Sequence, residues 1–305
     1  MPYTRIQMVE EAGKVGYQVS ERLVTDWASL GLLEHPQRQR GTHGKRGALY
    51  LWNENQLGLF LALLHHRPSV KHLGELATIP VSLWLLWGEP YVELPQVRRA
   101  MSTWTGGHLR ASSEEKAVAS ARAIVNSFAR PESTRAQRMQ LREEMAWAGL
   151  DGKIDRDRVA SLVNAVIDPT GSGKGFGPFQ ASGEDIADYY FFLTRAAVEI
   201  ETLSDGLFVE ARARYRDFLL GYLTDWVFLH SLPEYGPGFE KPTMELMVNN
   251  SCRDLLGALG QLLLVTERGI ELPPIVLQPW TRPPDALLAT VNRGMQQAVQ
   301  PSKPT

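Results

Sequence analysis

Between Val19 and Tyr50 the chain changes character twice, and few folds accommodate that succession. Ser20 is a natural N-cap and Glu21 a favourable first-turn anion. Leu23, Val24, Trp27, Leu30 and Leu33 then recur as the buried stripe of a short helix ending near Gly31. From His35 to Leu49 the residues differ in kind. Pro36, Gly41, Gly44 and Gly47 break the chain, Arg38, Arg40, Lys45 and Arg46 charge it, and no acidic residue follows Glu34. Ala48 to Trp52 is β-compatible, so the segment predicts a hairpin whose loop carries cations. Upstream, Ile6, Val9, Ala12 and Val15 recur at three-residue steps between Thr4 and Gly16 and predict another short amphipathic helix. Two helices joined by a tight connection, then a cationic hairpin, are the expectation.

The remainder reads as helical. Asn53 can cap a helix through Leu57, Phe60, Leu61 and Leu64 that Pro68 stops. Ser69 to Ala77 and Val81 to Trp87 predict two short helices separated by Pro80, and Pro95 suits the first turn of a helix through Val97, Met101 and Trp104. Thr105-Gly106-Gly107-His108 is the best linker candidate. Beyond it, helices are predicted from Ser112 or Ser113 to before Pro131, from Ser133 to Gly149, from Arg156 to Ile167, from Glu184 to Leu203, from Leu207 to His230, from Thr243 through Leu263, and from Asp285 to Ala298. The organisation predicted is an amino-terminal domain over 1–104 with accessory helices, a linker over 105–112, an all-α domain over 113–299 and a tail over 300–305.

Composition narrows the class. A hydrophobic fraction of 44% and a charged fraction of 22% over 305 residues are ordinary for a globular chain. Cys252 stands alone, so no internal disulfide framework or cysteine zinc site can form, and a reducing cytoplasm is the expected setting. No apolar run approaches the roughly 20 residues that span a bilayer, which predicts a soluble chain with no membrane partner. The net charge of −2 hides an asymmetry: residues 1–110 hold 12 Lys/Arg against 9 Asp/Glu, and the rest hold 20 against 25. A mildly basic head permits phosphate contact at one end.

Taken together, Arg22, Trp27, Gly31-Leu32-Leu33, Pro36-Gln37-Arg38 and Tyr50 resemble the MerR-type winged helix-turn-helix, over roughly residues 3–77. Val19-Ser20 is similar to that family's turn before its recognition helix, and Arg67 to Leu73 resembles the start of its second helical pair. Asp26-Trp27 stands where the family usually has two aromatics, and Thr25 replaces a frequent Arg. The resemblance implies a mainly α fold: an amino-terminal winged helix-turn-helix with a short β-hairpin wing, followed by an all-α bundle. It also implies double-stranded DNA as partner and a homodimer, although Pro80, Gly88, Pro90 and Pro95 interrupt the region where the family's coiled coil would run. The expected DNA-binding set is Ser20, Glu21, Arg22 and Thr25 on the helix, with Arg38, Arg40, His43, Lys45, Arg46 and Tyr50 on the wing. Dimer contacts are expected from the bundle or from Val81 to Trp87, with plain core packing the favoured reading of those tryptophans.

Other chemistries fit poorly. Asp168 to Gly175 suggests a phosphate loop but has Asp168 where Gly belongs and Gly175 where Ser or Thr should hold magnesium. The carboxylates of Glu184 to Glu201 have no Glu-x-x-His partner, and no Gly-x-Ser-x-Gly elbow is present. The expectation is therefore a transcriptional regulator and not an enzyme, with no cofactor and no metal. Its helical domain would serve oligomerisation or the sensing of a small-molecule or protein effector. A replication, partition or excision accessory protein is the alternative, and an α-helical enzyme a third.

Overall fold

The computed structural model describes residues 2–40, 48–108, 114–151, 153–173, 175–176, 180–231 and 244–275. Among these the fold is mainly helical, with eleven α-helices and one two-stranded antiparallel sheet. The chain forms two compact units, Met1–Trp104 with Arg212–Asp254 and Pro274–Thr305, and Thr105–Ala211 with Leu255–Pro273. The first unit thus takes in residues from late in the chain, which contiguous segmentation does not anticipate.

In the first unit, α1 (Arg5–Lys14) begins with a capping box in which Thr4 and Gln7 satisfy each other's backbone N–H. It ends at Gly16 in the left-handed region, where Gly16 N–H donates to Gly13 and Tyr17 N–H to Ala12. Helix α2 (Glu21–Ser29) starts after Ser20, whose backbone is extended but whose hydroxyl makes no capping bond. Its end repeats the same device: Gly31 has φ +73°, Gly31 N–H reaches Ala28 and Leu32 N–H reaches Trp27. Strands β1 (Gln37–Arg40) and β2 (Ala48–Leu51) pair with Arg38 opposite Tyr50 and Gln39 opposite Leu49. Tyr3 and Trp52 exchange two backbone hydrogen bonds of 2.7 and 2.8 Å, which ties the base of the hairpin to the start of α1.

Helix α3 (Glu54–His66) is capped by Asn53 and passes into a short 3-10 turn at Arg67–Ser69 around Pro68. Helix α4 (Thr78–Trp87) runs straight through Pro80, correcting the expected break there. Pro80 is the third helical residue, where the missing N–H has no intrahelical partner to lose. Val81, Trp84, Leu85 and Leu86 are buried within the chain itself, as core packing of this stretch requires. Helix α5 (Leu94–His108) includes Thr105 to His108, so those residues are its helical last turn, and the division between the two units falls at Trp104 and Thr105. Gly106 and Gly107 cost about 1 kcal/mol each relative to alanine, a small term beside the continuing helix and the burial of Thr105. The core of this unit is built on Met8, Trp27, Leu33, Phe60, Trp84 and Met101, with the Trp27 and Phe60 rings edge to face at 5.5 Å.

The second unit stacks α6 (Glu114–Phe128), α7 (Arg135–Asp151), α8 (Arg156–Ile167) and α9 (Gly183–Val198). Ala121, Val125, Leu141, Val159, Val163 and Ala187 form its apolar centre. Helices α10 (Asp205–Ser231) and α11 (Met244–Glu267) each contribute to both units, α10 to this one through Ala211 and α11 from Leu255 onward. At Gly260 a β-carbon would stand 3.0 Å from the Leu193 nitrogen, so α11 approaches α9 at that point more closely than most side chains allow. The helix expected over 285–298 and the tail over 300–305 lie outside the described residues. No helix among the described residues is long and apolar enough to cross a membrane.

Candidate functional site

Amphipathicity decides what α2 offers to solvent. Val24, Trp27 and Ala28 turn inward and are buried, leaving Arg22, Thr25, Asp26 and Ser29 exposed as one stripe, with Glu21 at its edge. Ser20, just before the helix, is exposed as well. The four expected helix residues, Ser20, Glu21, Arg22 and Thr25, therefore lie together at the amino-terminal end of one solvent-facing surface. Arg22 pairs with Asp26 one turn on, Nε to Oδ2 at 3.5 Å, and its side chain remains 87% exposed. An exposed pair of that kind leaves the guanidinium available to other anions.

On the hairpin, Arg38 and Tyr50 face each other across the ladder, and both are exposed. Arg40 occupies the last paired position of β1, opposite Ala48. The expected residues His43, Lys45 and Arg46 lie outside the described residues.

The turn joining α2 to β1 is fastened from several sides. Thr103 of α5 donates its hydroxyl to the Leu30 carbonyl at 2.7 Å, and Gln96 donates to the Leu32 carbonyl at 3.2 Å. Gln56 accepts from the Glu34 N–H at 2.8 Å, and the Trp52 indole N–H donates to the Glu34 carbonyl at 2.8 Å. Gln56 and Gln96 are buried and bonded to each other at 3.1 Å, so a satisfied polar network anchors the turn. Beside it, burial pushes the Glu34 carboxyl up to about 7, reinforced by Glu93 and opposed by Arg99. His35 is lowered by burial and by Arg99.

Arg5 is the residue that sequence reasoning missed. From the first position of α1 it reaches α2, Nε donating to Glu21 Oε2 at 2.7 Å and Nη1 lying 3.5 Å from Thr25 Oγ1. No spacing within one helix reveals this, because the contact depends on how α1 crosses α2.

No protein-family model, curated protein or solved structure matches this chain.

In the second unit, Asp168 accepts from Ser172 N–H at 2.8 Å and Gly173 N–H at 2.6 Å, so the loop closes on its own carboxylate. Those bonds, the Ser172 N–H foremost, hold the Asp168 carboxyl below its ordinary range. Two of the amides that a phosphate would need are thus already engaged. Among the described residues no group of three or more His, Cys, Asp or Glu is placed to hold a metal ion.

Proposed function

We propose that the chain is a sequence-specific DNA-binding regulator of transcription, in which α2 enters the major groove and the β1–β2 hairpin acts as a wing along the phosphate backbone. The observation that carries this reading is the joining of two surfaces by one fastened turn. The polar stripe of α2, with Ser20, Glu21, Arg22 and Thr25 at its leading end, is fixed to a hairpin that sets Arg38 opposite Tyr50. A helix whose first turns are polar and exposed suits base edges, whereas cations on a β-ribbon suit phosphates. The sequence adds Lys45 and Arg46 to the same hairpin loop.

Division of labour follows from charge. Glu21 and Asp26 offset Arg22 and Arg5 on the helix side, so most of the phosphate attraction belongs to the hairpin. A homodimer would present two such modules to a two-fold related site. The rest of the chain would supply oligomerisation, partner contact or effector sensing.

Titration of labelled duplex DNA at several salt concentrations tests the wing. Neutralising Arg38, Arg40, Lys45 and Arg46 to alanine removes up to four phosphate contacts, and the slope of log affinity against log salt should flatten by roughly three to four. An unchanged affinity and slope would exclude the hairpin as the phosphate-binding element.

A further inference from the structure

The first turn of α1 sits between the two surfaces just described. Tyr3 pairs through its backbone with Trp52 at the hairpin base, and two residues later Arg5 extends onto α2. Its Nε donates to Glu21 Oε2 at 2.7 Å, and its Nη1 lies 3.5 Å from the Thr25 hydroxyl, so one guanidinium spans a full turn of the exposed stripe. Side-chain exposures of 50% for Arg5 and 44% for Glu21 place the pair at the water boundary, where an ion pair adds little to folding stability. Stability thus gives a weak account of so directed a contact. Among the described residues no other hydrogen bond occupies the Glu21 carboxylate, which leaves Oε1 as an acceptor directed by a neighbour that holds Oε2.

We infer that Arg5 is a positioning residue for base readout: it neutralises Glu21 and fixes its carboxylate, so that Oε1 accepts a hydrogen bond from an exposed amino group in the major groove, that of cytosine N4. The inference rests on the DNA-binding reading above. A carboxylate near phosphates is repelled unless its charge is offset, and an ionised carboxylate only accepts hydrogen bonds, so its natural base partner is an amino donor. Arg5 meets the first requirement and fixes the orientation needed for the second. Thr25, held against the same guanidinium, would flank the base that Glu21 reads.

The experiment is selection from a random duplex pool with the full chain, Arg5→Ala, Arg5→Lys and Glu21→Gln, with binding to the selected site then measured at two salt concentrations. The full chain should favour cytosine at one position by roughly tenfold. Arg5→Ala and Glu21→Gln should each flatten the preference at that same position, Arg5→Lys should restore part of it, and preferences elsewhere should persist. Glu21→Gln preserves side-chain shape and leaves Arg5 in place, so it tests the readout even if Arg5→Ala disturbs the helix pair. If Arg5→Ala weakens all sequences equally and lowers the salt slope by about one, Arg5 is a phosphate contact and the inference fails. It fails equally if no preference moves. A full chain that selects no sequence removes the DNA-binding reading itself, and the inference with it.

Discussion

Gly31 lies against Ala100: a β-carbon on Gly31 would overlap the Ala100 nitrogen and stand 2.6 Å from the carbonyl carbon of Arg99. The glycine also has φ +73°, so its position serves two ends, closing α2 in a left-handed turn and letting α5 lie directly on that turn. The turn that ends α2 is seated on α5 there.

Gly31→Ala is therefore expected to destabilise through both effects, about 1–2 kcal/mol from the left-handed backbone and about 1–3 kcal/mol from overlap with rigid main chain. Gly58→Ala is the control, since Gly58 is in α3 with nothing within 4 Å of the added carbon. It should stabilise by about 0.5–1 kcal/mol. Urea unfolding followed by circular dichroism distinguishes them, and equal midpoints would show that α5 yields at Gly31.

Much of this was legible in the sequence, for reasons that differ by residue. Asn53 as a cap and Arg156 to Ile167 as a helix follow from local chemistry, and both are found. Pro80 misled because a proline's effect depends on its place in the turn, and only the structure shows that α4 begins at Thr78. The glycines at 106 and 107 suggested a linker because propensity counts them singly, whereas α5 carries through them. Of the proposed interface, the exposed stripe of α2 follows from periodicity. Arg5 and the buried Gln56–Gln96 pair do not, because each depends on contacts between segments distant in sequence.

Glu34 should make stability depend on pH. Its folded value, about 7, lies above the ordinary 4.5, so the folded state binds more protons between those values. The contribution is fully present below about 4.5 and is lost as pH rises through about 7. Thermal unfolding between about pH 5 and 8 should show the parent falling relative to Glu34→Gln, which keeps a neutral side chain throughout. Parallel curves would show that Glu34 titrates alike in both states.

Asp188 offers a test of the second unit. Its side chain is wholly buried and meets Arg156 from the first turn of α8 and Arg268 from the cap of α11, with Arg268 also 3.6 Å from Asp185. Removing the carboxylate takes away the shared partner of two guanidinium groups that water already reaches, at 48% and 40% side-chain exposure, so Asp188→Ala should cost about 1–3 kcal/mol. Glu132→Gln, at an exposed site, should stay within about 0.5 kcal/mol. A small loss at Asp188 would mean that water reaches the two guanidinium groups as readily without the carboxylate.

The proposed wing role of the hairpin makes a prediction for the residue across from Arg38. Tyr50→Ala, across from Arg38, should weaken binding to all sequences alike, because a wing contacts the backbone and not base edges. Competition between a selected duplex and an unrelated one measures this. A change in their ratio would place Tyr50 among the base-reading residues.

The central claim is that α2 reads a DNA sequence, and selection of bound duplexes from a random pool by the full chain tests it most directly. The expected result is enrichment of a bounded motif, two-fold symmetric if two modules bind together, which is lost when Arg22 and Thr25 are both replaced by alanine. Recovery of the input distribution, round after round, would contradict it.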